Sequence, residues 1–263
     1  MRSKDWGKFA VLVLLGIVLP RLMLFYTICG LLDFKRSKRI STEDLKRYFL
    51  GNGILTWVLS PLNLIMDLIS HENKGIFTLT DLPEDYQLEI NDMIILANNN
   101  KDEIIRELDN RMTEKKRGMI FFKWYGKNND TSINIPAFHN EYKYINTIGV
   151  SVFNKNQSTS THYGPLRATF RVLYNLVPQK NNSIYIKVAD QTHYWHDNPL
   201  FIFDDTLVHQ SVNGSEDLRY VMFIDIIRPS NSHEGILKGI INTVRFLMMS
   251  SNRIFYKNWD VLK

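Results

Sequence analysis

From residue 118 onward the chain repeats one pattern: short segments rich in β-branched and aromatic residues, separated by polar turns such as residues 127–130 and 179–182. Such segments are typical of β-strands, and many short strands at close spacing predict a sandwich or a barrel. The predicted strands occupy residues 119–125, 147–153, 168–176, 183–188, 200–203 and 220–227. We therefore expect a mainly β fold with flanking helices.

Two stretches outside the strands have helical patterns. The first covers residues 81–110 and is clearest at 102–108. In the second, residues 236–249, apolar residues recur at helical spacing with polar residues between them. This C-terminal helix either packs on the core or lies on a bilayer as a basic amphipathic helix.

The N-terminal apolar run, residues 9–32, is long enough to cross a membrane, since about 20 residues span the hydrocarbon. Arg21 would be costly in the middle of a span, so a tilted, kinked or re-entrant segment bent at Pro20 is expected. Two alternatives remain. One is a cleaved signal peptide, which is disfavoured because no small-x-small cleavage site follows. The other is a buried helix of a soluble protein.

Residues 54–69 form a second apolar stretch, which is short for a span and contains Pro61 and Asp67. An interfacial or protein-packed position is therefore expected. The basic cluster at residues 35–39 directly follows the first apolar run and suits a juxtamembrane position. The chain thus divides into a hydrophobic membrane-associated region, a β domain with a helical lead-in, and a C-terminal amphipathic helix, at residues 1–72, 73–230 and 231–263.

Composition narrows the class of protein further. A length of 263 residues suffices for one well-buried core with appendages. The single cysteine, Cys29, excludes an internal disulfide and thiolate zinc clusters. The net charge of +5 is not clustered as a recognition helix would need, so no nucleic-acid partner is expected.

Two distant histidines lie beside residues that suit a metal site. His162 opens the string His-Tyr-Gly-Pro, where a polar loop enters a strand. His209 ends a strand-like run that begins Phe-Asp-Asp, and Arg219 follows ten positions later. Imidazole suits Fe(II), and an arginine can grip a carboxylate in a bidentate fork. The set predicts a non-haem iron centre that also holds a dicarboxylate co-substrate.

From residue 151 to about residue 229 the chain resembles the aspartyl/asparaginyl β-hydroxylase family of Fe(II)- and 2-oxoglutarate-dependent dioxygenases. The matching strings are weak singly but specific together, because they occur in order and at matching separations. They are His-Tyr-Gly-Pro at 162–165, Arg171, Phe-Asp-Asp at 203–205 with His209, and Arg219 before an apolar strand that ends at Pro229. The resemblance covers about a third of the chain. It implies a double-stranded β-helix, a jelly-roll and cupin-like core.

The resemblance also implies the metal ligands. His162 and His209 match the family's two histidine ligands. Most 2-oxoglutarate enzymes place a carboxylate ligand two residues after the first histidine, where this chain has Gly164. Asp205 is the expected catalytic carboxylate, which hydrogen-bonds a metal-bound water or orients its loop. Its alternative is a turn residue that caps its own backbone.

Three residues match the family's co-substrate contacts. Arg219 corresponds to the arginine that pairs with the far carboxylate of 2-oxoglutarate. Arg171 and Ser151 match further contacts on strands whose alternation could point them inward. The alternative for Arg219 is a surface arginine near Glu216 and Asp217.

One position departs from the family. Two residues after Arg171 the family usually has a histidine in the co-substrate pocket, and this chain has Leu173. Tyr174 cannot replace that histidine, because neighbouring strand residues face opposite ways. The departure puts co-substrate affinity or identity in doubt. His193 and His196 form an H-x-x-H string, but the following Asp-Asn-Pro favours a turn over a second metal site.

The implied activity is hydroxylation of an unactivated C–H bond with Fe(II), 2-oxoglutarate and O2. Two substrate classes compete: the family's namesakes hydroxylate Asp or Asn side chains of proteins, and a membrane-anchored bacterial branch hydroxylates the acyl chain of lipid A. The apolar flanks favour a membrane lipid, whereas the His-x-Gly-Pro string is closer to the protein-hydroxylating branch. A catalytically degenerate member that serves as a membrane-associated binding module is the other alternative. The catalytic domain is expected to face the cytoplasm, where Fe(II) and 2-oxoglutarate are available.

Overall fold

The structure, a computed structural model, describes residues 7, 13–14, 16–37, 40–112, 115–230, 234–249 and 260–262. Short 3-10 turns lie at Leu79–Asp81 and Pro136–His139. The α-helices named below are α1 (Pro20–Lys35), α2 (Thr42–Leu50), α3 (Ile54–Val58), α4 (Ser60–Ile69), α5 (Glu84–Asn99), α6 (Lys101–Asp109) and α7 (Glu234–Met249).

Strands of the described residues form two sheets. The larger has the order β1-β9-β6-β11-β4-β2-β12, with β3 paired to β2, and the smaller has the order β5-β10-β7-β8. Pairing is antiparallel except between β12 and β2. The strands are β1 (Ile76–Phe77), β2 (Arg117–Trp124), β3 (Lys127–Asn128), β4 (Ile145–Phe153), β5 (Gln157–Ser158), β6 (Thr169–Asn175), β7 (Ile184–Val188), β8 (Gln191–Tyr194), β9 (Leu200–Phe203), β10 (His209–Asn213), β11 (Arg219–Ile227) and β12 (Asp260–Val261).

The predicted mainly β fold is confirmed, and each predicted strand is present within two residues of its expected bounds. The two sheets share a core, because Leu173 and Val221 of the larger sheet pack with Ile186 and Val188 of the smaller one. Branched and aromatic side chains suit such a half-buried pleated surface. The far side of the larger sheet is covered by α5 and α6, which confirms the helices predicted within residues 81–110.

Helices α1 to α4 pack against the β domain and against each other. Gly30 of α1 approaches Trp57 so closely that a Cβ at residue 30 would lie 2.4 Å from the indole ring. Trp57 donates its Nε1–H to the carbonyl of Tyr26 at 2.9 Å. Thr56 of α3 donates to the carbonyl of Gly164 at 2.9 Å, directly beside His162. One side of residues 54–69 is therefore packed against the protein, whereas Ile65 and Leu68 are exposed.

A largely buried charge cluster joins these helices to the β domain. Arg36, at the end of α1, donates to the carboxylate of Asp204 at 2.9 Å. Arg167 binds Asp33 of α1 and also Asp67 of α4, the latter at 2.5 Å. Ion pairs therefore cross the domain boundary that the sequence predicts at residue 72. The charge cluster comprises Asp33, Arg36, Asp67, Arg167, Asp204 and Arg228.

The predicted N-terminal membrane segment, residues 9–32, is described only in part, since residues 9–12 and 15 lie outside the described residues. Across the part of the chain that the structure describes, no helix combines the length and the apolar composition that crossing a membrane requires. Proline at the first turn suits the start of α1, because the missing N–H would have no helical partner there.

The C-terminal helix α7 packs on the core. Leu237 and Ile241 are buried against Met66 and Ile227, which confirms the packed alternative for the described side chains of this helix. The side chains of residues 244–249 lie outside the described set.

Candidate metal centre and co-substrate cavity

A cavity of about 320 Å³ lies between the two sheets and contains every predicted site residue. The register of the larger sheet places three residues of the cavity wall in one row. Phe153 of β4 pairs with Arg219 of β11 on one side and with Arg117 of β2 on the other. Two residues further along the strands, Val221 lies opposite Ser151. Side chains that share a face along neighbouring strands therefore meet in one space.

His162 and His209 lie side by side in the cavity lining. Their backbones form an isolated antiparallel bridge, with N–H···O distances of 3.0 and 2.9 Å, and their ring centroids lie 4.1 Å apart. The Nδ1 atoms lie 2.7 Å from the carbonyl of Ser160 and 2.8 Å from the carbonyl of Leu207. A carbonyl can only accept, so each Nδ1 carries the proton and each Nε2 keeps its lone pair. This is the tautomer that a metal-binding histidine needs.

Both imidazoles are held neutral by their surroundings. Burial lowers the pKa of His162 to about 4, and Arg171 and Arg117 add to the effect, while the bond to Ser160 opposes it. Burial and the neighbouring His162 lower the pKa of His209 well below its usual value. Metal ligation requires neutral histidine, so little proton competition is expected at neutral pH.

The prediction that His209 ends a strand was wrong. Strand β9 ends at Phe203, a turn follows, and His209 begins β10. Asp204 caps this turn by accepting from the N–H and the hydroxyl of Thr206, at 2.9 and 2.6 Å. Although burial opposes it, the guanidinium groups of Arg36 and Arg167 hold the pKa of Asp204 below its usual value. The backbone-capping role that was the alternative for Asp205 thus belongs to Asp204.

Asp205 fills the space beside Gly164. A Cβ at residue 164 would lie 2.4 Å from the carboxyl carbon of Asp205, and the N–H of Gly164 donates to the carbonyl of Asp205 at 2.7 Å. Burial raises the pKa of Asp205 to about 7, with Asp225 and Asp204 adding and Arg171 opposing. The Asp205 carboxylate therefore occupies the space that a side chain at residue 164, two positions after His162, would fill.

Arg171 holds Asp205 from the other side. Its Nη2 atom lies 3.0 Å from Asp205 and 3.0 Å from Asp225, and its guanidinium lies 4.0 Å from the centre of the Phe223 ring. Asp225 faces Arg171 because the two residues are register partners on β11 and β6. The structure brings Arg171 into the cavity, where two carboxylates already bind it.

Arg219 is buried, with 1% of its surface exposed, so the surface-arginine alternative was wrong. It donates to the carbonyl of Val212 at 3.0 Å and to the hydroxyl of Ser211 at 2.9 Å. Its Nε has no partner among the described residues, and none of their carboxylates pairs with the guanidinium. Burial lowers its pKa to about 9, which leaves the group charged at neutral pH. A buried charge of this kind requires a counter-ion, and an anionic ligand would supply it.

The strand alternation argued for Leu173 and Tyr174 is confirmed. Leu173 lines the cavity, whereas Tyr174 lies on the opposite side of β6, with its hydroxyl 3.0 Å from the amide of Asn98. Ser151 of β4 also lines the cavity, and its hydroxyl lies 3.4 Å from the carbonyl of Val221. The cavity wall is therefore apolar at residue 173 and polar at residue 151.

Three site residues were missed from the sequence: Arg117 and Ser211, which line the cavity, and Asp225, which binds Arg171. No motif marks them. Strand alternation could have indicated two of them, because residues an even number of positions apart share one face of a strand. Asp225 follows Arg219 by six positions, and Arg117 precedes Met119 by two. Arg117 lies outside the predicted bounds of its strand, which hid it.

His193 and His196 each contact another group within the part of the chain that the structure describes. His193 lies on β8 with its Nε2 2.9 Å from the carbonyl of Asn198, and His196 lies 2.8 Å from Asp197. Over the described ranges, no group of three or more His, Cys, Asp or Glu side chains is arranged to hold a metal. His162 and His209 therefore stand as a two-histidine pair.

Several solved structures resemble part of this chain at low identity. An oxidoreductase of the 2OG-Fe(II) oxygenase family from Burkholderia pseudomallei is 11% identical and covers 45% of this chain and 70% of its own, with a TM-score of 0.29. A prolyl hydroxylase from Trichoplax adhaerens is 14% identical over 36% of this chain and 47% of its own, with a TM-score of 0.28. The Cnp3 cupin domain of Schizosaccharomyces pombe is 11% identical over 34% and 56%, with a TM-score of 0.28.

Comparison with protein families and characterised relatives gives a more specific result. An ornithine lipid ester-linked acyl 2-hydroxylase from Rhizobium tropici is 30% identical over 89 residues, which are 34% of this chain and 32% of that relative. The match thus spans about a third of the relative's length. The aspartyl/asparaginyl beta-hydroxylase family model matches residues 92–229, which contain both histidines of the pair, Asp205 and Arg219. Because this match covers more than half of the chain, the protein belongs to the aspartyl/asparaginyl β-hydroxylase family.

Proposed function

We propose that this protein is an Fe(II)- and 2-oxoglutarate-dependent dioxygenase, built on the family's double-stranded β-helix, that hydroxylates an unactivated C–H bond. Arg219 carries the proposal. It is a buried, charged guanidinium without a carboxylate partner among the described residues, in the same cavity as two neutral imidazoles. A dicarboxylate co-substrate would supply the anion, and the planar fork of arginine suits a carboxylate.

The histidine pair fits a metal of the Fe(II) type. Each Nδ1–H is tied to a backbone carbonyl, so each ring is oriented and each Nε2 is free to bind. When bound, iron would supply the O2 activation that side chains cannot perform, with 2-oxoglutarate oxidised to succinate and CO2 as the C–H bond becomes C–OH. Asp205, held by Arg171, orients the loop that leads into His209.

The remaining groups bind and shield the co-substrate. Arg219 pairs with the far carboxylate, and Ser151, one row away on β4, donates a hydroxyl. The rings of Phe153 and Trp195 lie 4.7 and 5.1 Å from the guanidinium and keep water away from this end. Arg171 contacts the co-substrate near the metal pair. A dry site strengthens each of these charge interactions.

Co-substrate binding tests this proposal. In Arg219→Ala, calorimetry on the metal-loaded full chain should show 2-oxoglutarate binding weakened by about 2–5 kcal/mol, because one partner of a buried charge pair is lost. Arg219→Lys should recover part of the affinity, since it restores charge without the fork. Arg106→Ala removes an exposed arginine on α6 and is the matched control. If Arg219→Ala binds 2-oxoglutarate as tightly as the wild type, Arg219 does not pair with the co-substrate carboxylate and the proposal is contradicted.

Two substrate classes are compatible with this chemistry: a peptidyl Asp or Asn side chain, and an acyl chain of a membrane lipid. The name of the Rhizobium tropici relative supports a lipid. The His-x-Gly-Pro string supports a protein.

The protein is also proposed to be membrane-associated, with its catalytic domain facing the cytoplasm, because the basic residues 35–39 directly follow an apolar run. Protease added to sealed membrane vesicles should digest the domain only from the cytoplasmic side. Digestion only from the opposite side contradicts this orientation.

Leu173 favours a second candidate function, a catalytically degenerate member that acts as a membrane-associated binding module. The cavity wall is apolar at this position, where the family usually has a histidine. Such a protein would retain the cavity but form no succinate from 2-oxoglutarate in the presence of Fe(II) and O2. Succinate formation therefore separates the two functions.

A further inference from the structure

Helix α1 is mostly apolar, with charges only at Arg21, Asp33 and Lys35, and only one side of it is packed. Cys29, Gly30 and Phe34 face the protein. The opposite side exposes about half of each side chain of Leu22, Phe25, Ile28 and Leu32. A row of exposed apolar side chains of this size is normally covered by protein or by lipid.

The exposed apolar surface continues onto the neighbouring helices. Helix α1 packs beside α3 and α4, and these expose Val58, Ile65 and Leu68, the last with 85% of its surface accessible. Large contiguous apolar patches mark sites of interaction with a protein or a membrane. We name the following set the outer apolar face: Leu22, Phe25, Ile28, Val58, Ile65 and Leu68.

The cavity reaches the surface beside the outer apolar face. Leu55 of α3 lines the cavity and is also 37% exposed. Inside, Phe121, Trp124 and Phe223 provide apolar walls. Gly149 makes room for the ring of Phe121, since a Cβ there would lie 2.9 Å from it. Leu55 therefore connects the cavity lining with the exposed surface through an apolar side chain.

Charge indicates which occupant suits this face. Residues 1–50 contain ten Lys and Arg against four Asp and Glu, whereas the other 213 residues contain 22 against 23. The entire positive excess of the chain therefore lies in the segment that carries α1. Apolar side chains accompanied by basic residues suit a bilayer that contains anionic lipids, because both the hydrophobic and the electrostatic contributions favour binding.

We propose that the outer apolar face docks on the surface of an anionic lipid bilayer, and that a lipid acyl chain enters the cavity from that bilayer past Leu55. The acyl-chain part rests on the proposed function, because it names the substrate of that site. Docking itself requires neither metal nor co-substrate.

Vesicle binding by full-length variants tests the docking. Leu68→Asp places a charge on the outer apolar face, away from the cavity, and Leu88→Asp makes the same change at an exposed leucine of α5. Burying a leucine is worth about 1.5–3 kcal/mol, so Leu68→Asp should weaken binding to phosphatidylglycerol-containing vesicles about tenfold or more. Leu88→Asp should bind like the wild type, and vesicles of phosphatidylcholine alone should bind the wild type more weakly.

Three outcomes overturn the proposal. One is Leu68→Asp binding anionic vesicles as tightly as the wild type. Another is a wild type that ignores vesicles but forms a dimer that Leu68→Asp dissociates, because a second copy then covers the face. The third is succinate formation that does not rise when lipid vesicles are added but rises with an Asp- or Asn-containing peptide, which overturns the acyl-chain part. A wild type that binds vesicles through Leu68 yet forms no succinate leaves the docking supported and contradicts the proposed function instead.

Discussion

At the scale of single residues, Gly164 allows a carboxylate from another part of the chain to lie beside the histidine pair. Its missing Cβ leaves the volume that Asp205 occupies, and Arg171 fixes that carboxylate from the far side. The sequence showed that residue 164 cannot ligate through a side chain. It could not show that Asp205 lies against it, because the two residues are 41 positions apart and meet only in the folded sheets.

A side chain at residue 164 is therefore expected to compete with Asp205 for space. Gly164→Ala should lower the free energy of unfolding by about 1–3 kcal/mol, the usual cost of overpacking a well-packed site. In the Asp205→Ala background the same change should cost much less. Urea denaturation of the four metal-free proteins gives this coupling as a double-mutant cycle. Additive effects would show that the two residues do not share the space.

At the scale of elements, α1 is connected to the loop that leads into His209. Arg36 in the turn that ends α1 binds Asp204, and Asp204 caps the turn before His209. Removing one partner from a buried ion pair is costly because the other charge stays desolvated. The position of the N-terminal helices is thus coupled to the position of the loop that leads into His209.

Arg36→Ala should consequently reduce stability and metal retention together. Asp204 still interacts with Arg167 and Asn73 in this variant. The expected loss in the free energy of unfolding is therefore limited to about 1–3 kcal/mol. Lys35→Ala, which removes an exposed neighbouring charge, is the matched control. Urea denaturation and the metal content of dialysed protein are the measurements. Equal effects of the two substitutions would contradict the coupling.

At the scale of the whole molecule, the predictable part is the part governed by local pattern. The six predicted strands were found because branched and aromatic residues are enriched in them, whereas more polar strands such as β8 (Gln191–Tyr194) and β10 (His209–Asn213) were missed. The site residues were found through motifs, and Arg117 was missed because it belongs to none. The attachment of helices α1–α4 to the β domain was not predictable, since its ion pairs join residues at least 100 positions apart, as Arg167 and Asp33 do. Such pairs follow from three-dimensional packing and leave no periodic signal.

The most direct test of the central claim is succinate formation from 2-oxoglutarate by the full-length chain supplied with Fe(II) and O2, measured together with its iron content. The wild type should bind about one iron per chain and form succinate. His162→Ala and His209→Ala should each lose both properties and keep their fold by circular dichroism, whereas His193→Ala on β8 should retain both. A double variant, His162→Ala with His209→Ala, that still holds stoichiometric iron and forms succinate at the wild-type rate would contradict the account.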